Sequence, residues 1–417
     1  MPQDLPYELE ELILSYILHD PVSLKSCSLV CRRFSNFVQR HLFENISLSF
    51  SNQSKSDTLP ARFVRLLISS PHLATLVQSI SIIETRNRIG YPTHLRDDIL
   101  LPACLPLLKN LRSIGFHSNS FSSPSWKAFS PETQKAILNA FRLPSLVSIS
   151  LYRIIDIPIS LLSGCVALEE LSLKFVTFQD EDIQEWIDQD PVPLIPIGSN
   201  QRMKLKSLLL SLADPVFHFF TNWLLSPSCA LDLSNLQRLS VSMTMEYHDH
   251  GNIGKLLQAS ATTLEVLCFS PSFGGPTRLT LNPINLDCLP RLRVLRLRLG
   301  MARGPSGQSF LPWILEAIKQ LNSKHIEEIS IKSNLFKELQ AESSIDMSAW
   351  SALDSTLSSF ASLRLATLFV LKDETILTPE LLAEIRNNFP NLSGQGILNI
   401  EPALARVGFG ASDSDSL

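Results

Sequence analysis

A six-residue apolar pattern recurs along most of this chain and constrains the fold more than any other feature. Apolar residues occupy its first, fourth and sixth positions, as in Leu168, Leu171 and Leu173. Eight clear copies begin at residues 111, 146, 168, 205, 236, 264, 292 and 326, and weaker copies span 77–82 and 365–370. Alternation at the end of each copy is typical of a half-buried strand. Because the pattern returns every 22 to 37 residues, we predict one elongated array of strand units instead of two or three globular domains.

Helix signals lie between the copies of this pattern. Ser130 and Pro131 predict the N-cap and first turn of a helix that reaches Phe141. Similar signals predict helices over 180–188, 214–225, 310–321 and 378–389. Strand–helix units stacked in this way place parallel strands on a concave face and helices on a convex face. The pattern over about residues 60–400 resembles leucine-rich repeats of the long, strand-plus-helix kind, which implies an α/β solenoid.

A compact α/β enzyme is the alternative fold. It would need a glycine-rich phosphate loop or a nucleophile elbow, and the sequence has neither. The triplet His248-Asp249-His250 is the closest approach to a metal-binding motif, and we interpret it as a solvated loop. We therefore predict no catalytic residue, no cofactor and no metal.

The first 50 residues have a different character, because they predict three short helices. Leu9, Leu12, Ile13, Tyr16 and Ile17 follow the spacing of one helical stripe. Leu5, Leu14 and Leu18 lie off that stripe, so apolar surface extends beyond one face. A short helix of this kind usually contacts both its own domain and a partner. A second helical stretch is predicted from about Ser23 through Val38.

The same residues carry a resemblance to the F-box family. The segments Leu5-Pro6, Ile13 to Leu18 and Ser23 to Phe34 follow the family pattern in order and spacing, with Phe34 where a tryptophan is usual. The resemblance implies docking onto the adaptor subunit of a Skp–cullin–F-box ubiquitin ligase. By motif position, the residues that contact the adaptor or form the module core are Leu5, Pro6, Leu9, Ile13, Leu24, Leu29, Val30, Cys31 and Phe34. An ordinary helical cap is the alternative interpretation.

These two resemblances together predict the organisation of the chain. We expect an F-box over residues 1–50, a leucine-rich-repeat solenoid over 51–405 and a disordered tail over 406–417. F-box plus leucine-rich repeats is typical of ubiquitin-ligase substrate receptors, which are not themselves enzymes. The predicted partners are therefore a Skp-type adaptor, through it a cullin–RING ligase, and a protein substrate. The alternative is a leucine-rich-repeat scaffold with no link to ubiquitination.

Basic residues on the predicted concave face suggest where a substrate binds. Arg296, Arg298 and Lys332 fall on neighbouring predicted strands and could pair with an acidic or phosphorylated segment. Lys174 and Tyr152 occupy the same face on other strands. The alternative is that all five are ordinary solvated strand positions. A formal net charge of −4 argues against general nucleic-acid binding.

The cysteines and the N-terminal sequence indicate in which cellular compartment the protein is expected. The chain has seven cysteines and no C-x-x-C pair, which favours free thiols in a reducing environment. The first residues lack the features of a signal peptide, and no apolar run reaches the length of a membrane span. We expect a cytoplasmic or nuclear protein that does not bind membranes.

Overall fold

The computed structural model describes residues 6–50, 58–84, 100–119, 123–182, 202–244, 250–272, 284–298, 311–322, 324–333, 347–372 and 379–404. The chain divides into two units, residues 1–168 and 169–417. Several predicted segments lie outside the described residues: Leu5, most of the helix predicted over 180–188, His248 and Asp249, and the tail over 406–417.

The first unit begins with three helices and continues with alternating strands and helices. Its helices are α1 (Tyr7–Ser15), α2 (Pro21–Cys27), α3 (Arg32–Glu44), α4 (Leu59–Ser69), α5 (Pro71–Ala74), α6 (Leu100–Cys104), α7 (Pro131–Phe141) and α8 (Ser160–Ser163). Its strands are β1 (Asn45–Phe50), β2 (Ser79–Glu84), β3 (Ser113–Ser118) and β4 (Ser148–Tyr152). These four strands pair in chain order and in parallel.

The second unit continues the strand–helix alternation. Its helices are α9 (Asp214–Leu225), α10 (His250–Ala259), α11 (Leu311–Lys319), α12 (Met347–Ser358), α13 (Pro379–Asn387) and α14 (Pro390–Gly394). Its strands are β5 (Glu170–Lys174), β6 (Met203–Lys204), β7 (Ser207–Leu212), β8 (Leu231–Asp232), β9 (Arg238–Thr244), β10 (Val266–Ser272), β11 (Val294–Arg298), β12 (Glu328–Ser333), β13 (Leu365–Lys372) and β14 (Leu398–Leu404). A parallel sheet runs in the order β5-β7-β9-β10-β11-β12-β13-β14, and β6 pairs with β8 alone.

Each clear copy of the apolar pattern leads into a strand, and the strand begins at the third residue of the copy. The first apolar residue is buried before the strand starts, as Leu111 and Leu264 are, both 0% exposed. The next two amides then donate to a single carbonyl of the preceding repeat: Glu265 N and Val266 N both reach Gln237 O at 2.9 Å. This shared bond fixes the register, so the fourth and sixth positions all fall on one buried face.

Helices cover that buried face. In the second unit α9 contacts β7 and β9, and α9 packs against α10 as α11 packs against α12. In the first unit α4 contacts β1, α5 and α6, and α6 contacts α7. The side chains of the alternate strand positions, such as Ser172 and Ser240, point to the opposite face and are half-buried.

The structure differs from the sequence prediction at several elements. The second helical stretch, predicted from about Ser23 through Val38, is divided between two helices, α2 and α3. Cys31 adopts an extended conformation (φ −157°, ψ 166°) and becomes the N-cap residue of α3. The amides of Leu29 and Val30 close turns onto Ser26 and Cys27, which ends α2. Strands β1 and β14 were not predicted, because neither begins with the leucine-led pattern.

Candidate functional site

The three N-terminal helices pack around a small core. Leu14, Leu24, Phe37 and Val38 are buried there, and Ile17, Leu18, Cys27, Phe34 and Leu42 pack against them half-buried. Two ion pairs also connect α1 to α3, with Glu10 3.8 Å from Arg33 and Glu11 4.0 Å from Arg40. The module α1–α3 therefore holds its helices together without using most of its other apolar residues.

Helix α2 begins at a well-formed cap. The Asp20 carboxylate accepts a hydrogen bond from the Val22 amide at 3.0 Å and another from the Ser23 hydroxyl. The Ser23 hydroxyl, followed by the Ser23 and Val22 amides, holds the pKa of Asp20 below its ordinary value. The cap fixes where α2 starts. The turn that follows α2 contains the exposed residues Leu29 and Val30.

Among the described side chains of this module, seven large apolar ones face solvent. Their exposed fractions lie between 47% and 88%, and together we name them the N-terminal apolar surface: Leu9, Leu12, Ile13, Tyr16, Val22, Leu29 and Val30. Leu29 and Val30, at 88% and 69%, occupy the turn between α2 and α3, where polar residues are usual. Scattered exposed apolar residues are common on protein surfaces, but seven within 22 consecutive residues are an unusual concentration.

The structure separates the predicted adaptor-contact residues into two groups. Leu24 is 2% exposed and Phe34 is half-buried, so both belong to the module core. The exposed group is Pro6, Leu9, Ile13, Leu29, Val30 and Cys31. Pro6 precedes α1, and its carbonyl accepts hydrogen bonds from the Leu9 and Glu10 amides at 3.0 and 3.2 Å. Cys31 follows the exposed turn directly.

Three residues of the surface were missing from the predicted set: Leu12, Tyr16 and Val22. Leu12 and Tyr16 both belong to the apolar stripe predicted for the first helix, and membership of that stripe was the available signal for them. The helix is turned so that the off-stripe residues Leu14 and Leu18 pack inward, while most of the stripe faces solvent. For Val22 only its place beside the cap of α2 could have served as a signal.

The predicted substrate-contact residues fall in different places. Arg298 and Lys332 lie opposite each other in the pairing of β11 with β12, and Arg296 lies opposite Ser330. The Arg296 Nε donates to Glu328 Oε1 at 3.3 Å. Lys174 ends β5, while Tyr152 belongs to the first unit, is 6% exposed and has the Arg153 guanidinium 5.4 Å from its ring centroid.

The remaining features are the cysteines, possible metal ligands and possible membrane-spanning helices. All seven cysteines are free, and burial raises the pKa of both Cys165 and Cys229 to about 12. The described residues contain no group of three or more side chains able to hold a metal ion. Within the same residues, no helix has both the length and the apolar character needed to span a bilayer.

Comparison with known protein families concerns the N-terminal module α1–α3. Residues 3–86 match the COS11 F-box domain family. The match includes α1–α3 with the whole N-terminal apolar surface, and it extends past β1, α4 and α5 to the end of β2. No curated protein matches the sequence significantly. The N-terminal part of this chain is therefore an F-box domain, which supports its assignment as an F-box protein.

Proposed function

We propose that this protein is the substrate receptor of a Skp–cullin–F-box ubiquitin ligase, and that its adaptor binds the N-terminal apolar surface. One observation carries the proposal: an F-box domain whose core is complete leaves seven large apolar side chains in solvent. Burying such side chains contributes about 1.5–3 kcal/mol each when burial is full. Part of that gain offsets the entropy lost on association.

Leu29 and Val30 are the centre of the proposed contact. Both lie in the turn between α2 and α3, and the other five residues of the apolar surface precede them in sequence. Interface energy concentrates in a few central residues that become fully desolvated. A charge placed on this turn would have to be buried unpaired in the complex, which is costly.

The remainder of the chain supplies the second half of the receptor. We infer that the strand–helix units are leucine-rich repeats and that the strand face opposite the described helices holds the target protein. Ubiquitin transfer is carried out by other subunits of the cullin–RING ligase, so this chain contributes binding and positioning. We place this activity in the cytoplasm or nucleus, where seven free cysteines are compatible with a reducing environment.

Co-purification with the Skp-type adaptor tests the proposal. Val30→Asp should lower the yield of adaptor recovered with the full-length chain at least about tenfold. Val166→Asp is the matched control, because Val166 has the same side chain, is 59% exposed and lies in the same unit outside the apolar surface. The control variant should retain wild-type recovery of adaptor.

Two outcomes would contradict the proposal. Wild-type protein that recovers no adaptor would favour the leucine-rich-repeat scaffold with no link to ubiquitination. Equal losses in both variants would mean that the apolar surface is not where the adaptor binds. Circular dichroism of both variants excludes unfolding as the cause, since each replaced side chain is exposed in the wild type.

A further inference from the structure

Two cations flank the most exposed part of the N-terminal apolar surface. Lys25 lies in the last turn of α2, and Arg32 is the first residue of α3. The six residues between them, Ser26 to Cys31, carry no charge and include Leu29 and Val30 at 88% and 69% exposed. The whole stretch belongs to the unbroken described range 6–50, and both cations are exposed. A protein that covers this turn therefore reaches both of them.

The other two arginines of α3 have acidic partners inside the module. Arg33 lies 3.8 Å from Glu10, and Arg40 lies 4.0 Å from Glu11. Within the part of the chain that the structure describes, the two cations beside the turn have no such partner. Positive charge is therefore left uncompensated at the exposed turn.

Arg32 is also unfavourably placed for the stability of α3. The amino end of a helix carries partial positive charge and favours acidic side chains. Helices α1 and α7 follow this rule, with Glu8 and Glu132 in their first turns. The first turn of α3 holds no acidic residue and begins with Arg32 and Arg33. The stability of the helix therefore does not account for Arg32, whereas an anionic group on a partner would give its charge a favourable contact.

The two cations restrict the kind of surface that can cover the turn. A protein interface has an apolar centre and a polar rim, and charges of opposite sign face each other across that rim. A neutral surface would remove water from the cations without replacing it, and a basic surface would repel them. The covering surface therefore needs acidic groups at its edge.

Acidic residues border another part of the same apolar surface. Glu8 precedes Leu9 on α1, and Asp20 lies two residues before Val22 at the start of α2, and both carboxylates are exposed. A lipid bilayer that attracts cations is negative over its whole surface and would repel these carboxylates. A folded protein presents charges of both signs at fixed positions. The charge distribution therefore favours a protein partner over a membrane.

We propose that the adaptor covers the exposed turn with an apolar pocket bordered by carboxylates, and that these carboxylates pair with Lys25 and Arg32. The two cations form the rim of the contact, and Leu29 and Val30 form its desolvated centre. The cations then raise the rate of association, whereas the apolar side chains slow dissociation. This inference rests on the proposed function, because it names the charge of the surface that the adaptor presents.

Stopped-flow kinetics of adaptor binding to the full-length chain tests the proposal. Lys25→Glu combined with Arg32→Glu should lower the association rate constant at least about tenfold at low salt. The wild-type constant should fall as the salt concentration rises from about 0.05 to 0.5 M, because salt screens the attraction. In the double variant the constant should stay level or rise, since the attraction has become a repulsion.

Lys109→Glu combined with Lys135→Glu is the matched control variant. Both lysines are exposed, lie in the same unit outside α1–α3, and have no ion pair among the described residues. The two double variants change the formal net charge of −4 by the same amount, because each replaces two cations by two carboxylates. The control should keep an association rate constant within about twofold of wild type.

Thermal unfolding of Arg32→Glu distinguishes a contact with the partner from a role in the fold. This substitution places an acid in the first turn of α3, so its unfolding midpoint should equal or exceed that of wild type while association slows. A lower midpoint would show that Arg32 supports the module itself. That result would overturn its assignment to the adaptor contact.

Two kinetic results would also overturn the inference: an unchanged association rate in the Lys25 and Arg32 double variant, or equal losses in the control variant. Charge-dependent binding of the wild-type chain to vesicles of phosphatidylcholine and phosphatidylserine would assign the cations to a membrane instead. If any of these results is found while the wild type still recovers adaptor, the proposed function stands without this rim. A wild-type chain that recovers no adaptor would reject the proposed function and this inference with it.

Discussion

The N-terminal module and the strand repeats use the same residue types in opposite ways. In the repeats the pattern leucines are buried, as Leu111 shows at 0% exposed. In the module, Leu29 is 88% exposed although it belongs to the same unit of the chain. The repeats supply the covering layer themselves: α4 packs on β1 and α6, and α9 packs on β7, β9 and α10.

This difference is the reason why the proposed adaptor contact is placed on the N-terminal module. A repeat stacks on its neighbours and needs no other protein to bury its leucines. Module α1–α3 is too small to bury all of its apolar residues around one core. Its exposed large apolar side chains, among those described, all lie between Leu9 and Val30, which is consistent with the proposed adaptor contact.

Truncating one leucine in each region is the most direct test of this difference. Leu111→Ala should lower the free energy of unfolding by about 2–5 kcal/mol, because it leaves a cavity in a fully buried site. Leu29→Ala should change that free energy by no more than about 0.5 kcal/mol, since its side chain is already in water. Denaturant unfolding of the two variants measures both effects.

Adaptor affinity should show the reverse order of the two variants. Leu29→Ala should weaken adaptor binding, whereas Leu111→Ala should affect it only in so far as the unit unfolds. A large loss of stability in Leu29→Ala would mean that this turn belongs to the core of the chain. The proposed difference between exposed leucines in the module and buried leucines in the repeats would then be wrong.

A smaller effect is expected at a helix cap in the repeats. The Ser130 hydroxyl accepts a hydrogen bond from the Thr133 amide at 3.2 Å at the start of α7. Ser130→Ala should therefore cost about 1 kcal/mol of unfolding free energy. Ser130→Asp is the matched replacement and should retain most of the stability, because aspartate also caps helices. An alanine variant as stable as wild type would show that the cap bond contributes nothing.

Much of the repeat architecture could be predicted from sequence because its signals are local. The Ser130-Pro131 signal placed α7 to the residue, and the predicted helix over 214–225 is α9. The first leucine of each pattern marks a burial site, and the alternation after it marks the faces. Strands β1 and β14 were missed because their apolar residues are not preceded by the leading leucine that defines the pattern.

The site was harder to predict because exposure is not a local property. A motif position can serve the core or a partner, and Leu24 and Val30 show the two outcomes within seven residues. Which face of α1 turns inward depends on α2 and α3, so the stripe alone could not settle it. Likewise, the proximity of Arg298 and Lys332 followed from strand order, but the bond between Arg296 and Glu328 needed the side-chain positions.

A further, small effect concerns pH, because only one of the two helix caps carries an ionisable group. The folded pKa of Asp20 is lowered by the Ser23 hydroxyl, the Ser23 amide and the Val22 amide. A lowered folded pKa means that the cap's contribution is complete above the unfolded pKa of about 3.9 and is lost as the pH falls through the folded pKa. The Ser130 cap carries no ionisable group, so its contribution should not change over that window.

NMR titration of the Asp20 carboxyl carbon measures this directly. Its midpoint should lie below about 3.9, and Asp20→Asn should remove the acid-dependent part of the stability while keeping an acceptor for the Val22 amide. Ser130→Ala measured at the same pH values is the control, and its stability difference from wild type should stay constant. A midpoint at or above the ordinary aspartate value would show that the Ser23 and Val22 bonds do not favour the ionised carboxylate. In that case α2, and the exposed turn that follows it, would not depend on the charge of Asp20.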